Sequence, residues 1–278
     1  MLLKAFSIAA LVFFSSFNNE HINHVNPVND WSKMQLKGRV KSISKEQCRV
    51  MKKSGEKNCK IKELIVFNSG GYIVEEQTWE FAQLVDRQKY VYNNNILTRI
   101  ERLDANNAIT TTYMLYYDQD GNRIEEKIFD KDNQLESRYT HQYDKNGREI
   151  QMDRYNMHMG GNHDMKETFA YDNFGNLINH TQEHESGDTH IKISYKYDQY
   201  KKITEKTTNT VYENSGKYLT TIRYTFDSQG NVVQEDQIQN KRKSKTTITM
   251  DTTGNWLKRT TTESRDTYLT TERVIEYF

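Results

Sequence analysis

Apolar and polar residues alternate along most of this chain. In Ile191-Lys192-Ile193-Ser194-Tyr195-Lys196-Tyr197 the apolar residues share one parity and the polar ones the other. Ile222, Tyr224 and Phe226 repeat the pattern, as do Tyr139 and Tyr143 with His141 between them. A period of two is the signature of a half-buried β-strand. The pattern predicts strands of roughly 6 to 10 residues, with one aromatic face and one face of Lys, Thr, Glu and Gln.

Short turn sequences punctuate the alternation. The clearest are Tyr117-Asp118-Gln119-Asp120-Gly121-Asn122, Tyr143-Asp144-Lys145-Asn146-Gly147-Arg148 and Tyr171-Asp172-Asn173-Phe174-Gly175-Asn176. Phe226-Asp227-Ser228-Gln229-Gly230-Asn231 and Met250-Asp251-Thr252-Thr253-Gly254-Asn255 follow, with Tyr197-Asp198-Gln199-Tyr200-Lys201 as a copy lacking its glycine. The aspartates at 118, 144, 172, 198, 227 and 251 are 26, 28, 26, 29 and 24 residues apart. Half-steps fall at Asp104 and Asp130, and earlier turns at Phe67-Asn68-Ser69-Gly70-Gly71 and Tyr92-Asn93-Asn94-Asn95. Asp at the first turn position can accept backbone N–H bonds from residues ahead of it. Gly three residues later supplies the left-handed conformation that closes a type I turn with a bulge. These are therefore structural turn residues: Asp118, Gly121, Asp144, Gly147, Asp172, Gly175, Asp227, Gly230, Asp251 and Gly254. A repeat of this length is one supersecondary unit. The fold expected is all-β, an antiparallel meander of tandem β-hairpin repeats forming a long curved sheet or an open barrel. Open sheet edges would permit dimerisation by edge pairing.

Tyr-Asp-x-x-Gly-Asn and Tyr-Asp-x-x-Gly-Arg turns at this spacing resemble the YD (RHS) repeats of large bacterial surface and toxin-shell proteins. The chain looks more similar still to short secreted YD-repeat-like proteins of Bacteroidetes-type bacteria, most of unknown function. The further residues carrying the resemblance are Leu36-Lys37-Gly38-Arg39-Val40-Lys41-Ser42-Ile43, Asp251 to Arg259, and the terminal Glu272-Arg273-Val274-Ile275-Glu276-Tyr277-Phe278. It covers residues 34–278. The resemblance implies the repeat fold and no catalytic residues, and the repeats are too few to enclose a cargo as the large shells do. Any carbohydrate-binding role would be implied by analogy alone.

Composition then narrows the class. Only 35% of the 278 residues are apolar, 18 residues are Tyr, and mean hydropathy is −0.93, which suits a thin sheet rather than a thick core. Basic and acidic residues number 39 and 38, so charge gives no reason to expect nucleic acid or an anionic membrane as partner. Lys4 and the apolar run Ala5 to Phe14, broken only by Ser7, suit a secretory signal peptide, assigned to residues 1–17. The run is too short for a transmembrane helix. An Asn-rich leader, 18–33, contains Pro27, and the repeat domain is assigned to 34–278. Cys48 and Cys59 are the only cysteines, and two in an exported chain pair. The segment between them reads as a hairpin tip. An exported protein, periplasmic or secreted to the cell surface, is expected.

Candidate chemistry is sparse. His158, His163, His180, His184 and His190 could bind a metal were their hairpins neighbours, but scattered loop histidines are ordinarily just solvated, and no metal or other cofactor is expected. Asp118-Gln119-Asp120-Gly121 places its glycine too early for an EF-hand loop. No nucleophile elbow, His-Glu-x-x-His, P-loop or dinucleotide fingerprint is present. Glu125 and Glu126 are adjacent and point to opposite faces of a strand. The chain is read as no enzyme. Aromatic side chains at the ends of the sheet, Trp79 and Trp256, are the candidate binding residues, since an aromatic face can stack on sugar rings. The expected function is a non-enzymatic exported binding or structural protein engaging an envelope glycan or a surface protein. The alternative is an accessory or immunity-type partner of a secreted toxin system.

Overall fold

The computed structural model of the chain describes residues 28–213, 216–262 and 265–278. The expected signal peptide and residues 18–27 of the expected leader lie outside the described residues. One short helix, α1 (Asp30–Lys33), precedes a run of strands. These are β1 (Val40–Met51), β2 (Lys57–Phe67), β3 (Ile73–Glu80), β4 (Gln83–Asn93), β5 (Ile96–Leu103), β6 (Ile109–Tyr117), β7 (Arg123–Asp130), β8 (Leu135–Tyr143) and β9 (Glu149–Asn156). The second half supplies β10 (Asn162–Tyr171), β11 (Leu177–His184), β12 (Thr189–Tyr197), β13 (Ile203–Tyr212), β14 (Gly216–Phe226), β15 (Val232–Gln239), β16 (Arg242–Met250), β17 (Trp256–Thr262) and β18 (Thr267–Tyr277). No helix among the described residues is long and apolar enough to cross a membrane.

Each strand pairs antiparallel with the next, as a meander requires. The structure corrects the expectation of a curved sheet or open barrel: β1 also pairs with β18, from Val40 opposite Tyr277 to Met51 opposite Thr267. The sheet is a closed barrel of 18 strands. Closure consumes both outer hydrogen-bonding rows, so the edges expected to allow dimerisation are already paired within the chain.

The period of about 26 now has a geometric meaning. The turns at Asn68, Asp118, Asp144, Asp172, Asp198, Asp227 and Asp251 follow even-numbered strands, so all lie on one rim, here the tyrosine rim. The half-steps Asp104 and Asp130 follow odd-numbered strands and lie on the opposite rim. At the tyrosine rim the register shifts just before Phe67, Tyr92, Tyr117, Tyr143, Tyr171, Tyr197, Phe226 and Met250. A bulge in each hairpin bends its strand and raises local twist, which a sheet needs to curl shut.

The apolar core sits at that rim and is small. Val40, Ile43, Phe67 and Ile73 form it, and Trp31, Met34, Leu36, Ile65, Tyr90 and Ile275 pack against it. Residues 28–33, expected as the end of an exposed leader, therefore belong to the folded body. Asn29 caps α1 by accepting from Ser32 N–H (3.1 Å), and Trp31 Nε1 donates to Val40 O (2.8 Å). Asp30 Oδ2 accepts from Ile73 N–H (2.8 Å).

Cys48 and Cys59 face each other across β1 and β2 and form the expected disulfide. The hairpin tip is shorter than the span between the cysteines, only residues 52–56. Under the chain-entropy model a bridge across 11 residues contributes about 2–3 kcal/mol. Replacing both cysteines by serine should lower the urea midpoint accordingly, and an unchanged midpoint would show that the strand pairing already holds the hairpin.

Candidate functional site

The wall of the barrel has two chemically distinct faces. Register places Tyr90 opposite Ile100, Ile100 opposite Tyr113, Tyr113 opposite Ile128 and Ile128 opposite Ser137, all on one face. Tyr139, Tyr195 and Tyr224 share this face by alternation and pairing. Burial pushes the hydroxyls of Tyr113 and Tyr139 upward, and those of Tyr195 and Tyr224 to about 12. On the other face Glu205 is held below the usual range by Lys196 and Arg223, and Glu272 by Lys258 and Lys57. The crowded tyrosine face is the inner wall.

The inner wall is less purely aromatic than the sequence suggested. It also carries Arg102 with Asp86, Arg154 with Asp164, His180 with Glu167 and Arg259 with Glu235. A barrel of this strand number is too wide for opposite side chains to fill. The ions on this face come in opposite-charge pairs, which is how such groups are tolerated away from bulk solvent. The outer wall carries Glu125 bridged to Lys127 and Arg138 and Glu205 bridged to Lys196 and Arg223. A lipid-facing barrel needs an apolar outer band. This outer wall is the reverse of one.

The turn residues do what their chemistry predicts. Asp118 Oδ1 accepts from Asp120 N–H (3.0 Å) and Asn122 N–H (2.8 Å), and Oδ2 accepts from Asn122 Nδ2 (3.0 Å). Gly121 closes the turn at φ 82°. At Asp144 the Arg148 Nε takes the asparagine's place at 2.7 Å, and in the copy without glycine Lys201 adopts φ 63°. The tyrosine of the motif has a role the sequence did not disclose. Tyr117, Tyr143, Tyr171 and Tyr197 hydroxyls donate to the carbonyls of Leu97, Arg123, Glu149 and Leu177 at 2.7, 2.9, 2.8 and 2.7 Å. Each hydroxyl ties its hairpin to the preceding one.

Hydrogen bonding holds these aspartates below the usual carboxylate range. The Asn122 and Asn231 side chains are the main cause at Asp118 and Asp227. At Asp144, Asp172 and Asp251 partial desolvation opposes the shift and is outweighed by bonds from Arg148, Asn176 and Tyr277. A depressed folded value means stability that is present above the unfolded pKa of about 3.9 and lost as pH falls through the folded values. The urea midpoint is therefore expected to fall steeply below about pH 4. A flat midpoint down to about pH 2.5 would contradict it.

The candidate contact residues are more engaged than expected. Trp79 and Trp256 are half-buried rather than exposed. Lys62 Nζ lies 5.6 Å from the Trp79 ring centre, while Arg273 and Arg259 lie 4.1 and 5.6 Å from that of Trp256. The histidines do not converge either. His141 binds Glu149 (2.6 Å), His180 binds Glu167 (2.6 Å), and His163 bridges Glu185 (2.7 Å) and Asp153 (3.0 Å). His163 and His180 are paired where solvation was expected, while His158 and His190 are exposed as expected, at 71% and 41%. Among the described residues the ligand atoms of Glu46, Cys48 and Cys59 do converge, but both sulfurs are committed to the disulfide.

A depression of about 440 Å³ lies at the far end of β13 and β14, lined by Thr210, Tyr212, Tyr218, Thr220 and Gln239. Thr210 pairs with Tyr218, and Tyr212 with Gly216, so these side chains project from the inner-wall face. The two tyrosine rings meet edge to face with centres 5.8 Å apart. Both are exposed, at 41% and 39%. Sequence reasoning missed them, because they obey the same alternation as the buried tyrosines.

No protein-family model matches the chain, and no curated protein matches it. Among solved structures it is similar to a porin-like protein from Bacteroides uniformis, at 12% identity over 86% of this chain and 98% of that one, with a TM-score of 0.46. A porin-like protein from Bacteroides vulgatus is 10% identical over 84% and 97% of the chains, with a TM-score of 0.38. The TcdB2-TccC3 structure is 12% identical over 80% of this chain but only 15% of that one, with a TM-score of 0.41. All three scores lie below 0.5, and no function is carried across from them.

Proposed function

We propose that this chain is an exported, non-enzymatic binding barrel that engages a glycan at the Tyr212–Tyr218 depression. The observation that carries the reading is the pair of exposed tyrosines set beside Thr210, Thr220 and Gln239. Aromatic faces stack on the C–H faces of a sugar, while hydroxyls and an amide serve its ring hydroxyls. The lining holds no ionised side chain, which suits a neutral sugar unit. Export is supported by the signal-like N-terminus and by the disulfide. A surface protein as the ligand, or a toxin-accessory role, has no comparable feature in its favour.

The test is retention of the mature protein on immobilised neutral polysaccharide from its host envelope. Tyr212→Ala combined with Tyr218→Ala should weaken retention about five- to 150-fold, since each aromatic contact contributes about 0.5–1.5 kcal/mol. Equal retention of the double variant, with its thermal transition unchanged, would sink the assignment.

A further inference from the structure

A second feature lies on the inner wall, toward the tyrosine rim, and does not depend on the glycan reading. Arg273 of β18 is only 9% exposed. Its guanidinium stacks 4.1 Å from the centre of the Trp256 ring, and Arg259 approaches the same ring. In register it stands opposite Lys45 of β1. Two guanidinium groups therefore meet at the Trp256 ring. Glu235 answers Arg259 and Glu63 answers Lys45. The carboxylate of Asp251 accepts from Asn255 N–H (2.8 Å) and the Tyr277 hydroxyl (2.7 Å). Among the described residues, no acceptor hydrogen-bonds the Arg273 guanidinium.

That arrangement leaves the fork open to an acceptor from solution, since its nitrogens keep contact with solvent. A buried charge is tolerated when it is paired and hydrogen-bonded, and arginine brings five N–H donors in a fixed plane. The Trp256 face satisfies none of them. Burial and the neighbouring Arg259 pull the Arg273 guanidinium down to about 10, which leaves it charged at neutral pH. A planar fork backed by an aromatic ring and flanked by a second guanidinium matches the geometry of an oxyanion.

We infer that Arg273, with Arg259 beside it at the Trp256 ring, is a binding site for an oxyanion, a carboxylate or a tetrahedral phosphate or sulfate group. The probes are glucuronate, inorganic phosphate and inorganic sulfate, with glucose as the neutral control, titrated calorimetrically into the mature protein. Saturable binding of at least one anion and a tenfold or greater loss of it in R273Q are expected, while any binding of glucose at the Tyr212–Tyr218 depression is unchanged in R273Q. Glucuronate binding alone would identify a carboxylate source, and phosphate or sulfate binding a tetrahedral one. If R273Q fails to fold, R273K, which keeps the charge but loses the fork, is held to the same tenfold criterion. No saturable binding by any of the three anions, or binding that survives the substitution, overturns the site and leaves Arg273 as a stacking residue only.

Discussion

Phe67→Ala is expected to cost the barrel about 3–5 kcal/mol, the range for deleting a buried phenylalanine. Phe67 is 3% exposed and belongs to the four-residue core with Val40, Ile43 and Ile73. Its ring centre lies 6.4 Å from that of Trp31, so the cavity would open under the segment that seats α1. The rest of the inner wall is largely half-buried and offers no second core to absorb the loss. Against a total stability of about 5–15 kcal/mol, one substitution should remove a large share. Urea unfolding would read it directly, and a double-mutant cycle with Trp31→Ala should return a favourable coupling. A cost below about 1 kcal/mol would mean that this cluster is not the core.

The second large effect is expected from Gly71→Ala. Gly71 holds φ +83°, and a Cβ there would fall 2.5 Å from the Trp31 ring and 2.8 Å from Asn29 Nδ2. The Gly71 carbonyl also accepts from Asp30 N–H (2.9 Å) and Trp31 N–H (3.2 Å). Left-handed backbone costs an alanine about 1–2 kcal/mol, and overpacking adds about 1–3 kcal/mol. Gly55→Ala is the matched control: its φ is +71°, but nothing lies within 4 Å of the added carbon. Thermal unfolding of both should show Gly71→Ala lower by several degrees. Equal transitions would show that Trp31 moves aside at no cost.

Local features were legible before the structure, and long-range ones were not. The Asp-x-x-Gly turns, the alternation and the Cys48–Cys59 hairpin each depend on residues within a dozen positions of one another, and each stands as read. Closure depends on β1 meeting β18, with Ile43 opposite Ile275. No local pattern encodes that pairing. Trp31 was misplaced for the same reason, since its Asn-rich surroundings read as leader while its partners lie in β1, β2 and at Phe278. Tyr212 and Tyr218 differ from the buried tyrosines only by their place near the open end of two strands. Arg273 left one usable trace, a cation on the parity otherwise held by Ile275.

The seam between β1 and β18 also sets a timetable. Every other pairing joins strands that are consecutive in the chain, so hairpins can form as soon as their residues are available. The seam joins positions as far apart as Val40 and Tyr277, and in a chain delivered from its N-terminus it must wait for the final strand. Until then two raw edges stand open to other chains, and such non-local closure is intrinsically slow and prone to aggregation. Losing even the last strand would leave β1 and β17 in that state permanently. The final eleven-residue strand thus decides whether seventeen finished strands become a closed barrel or a template for association.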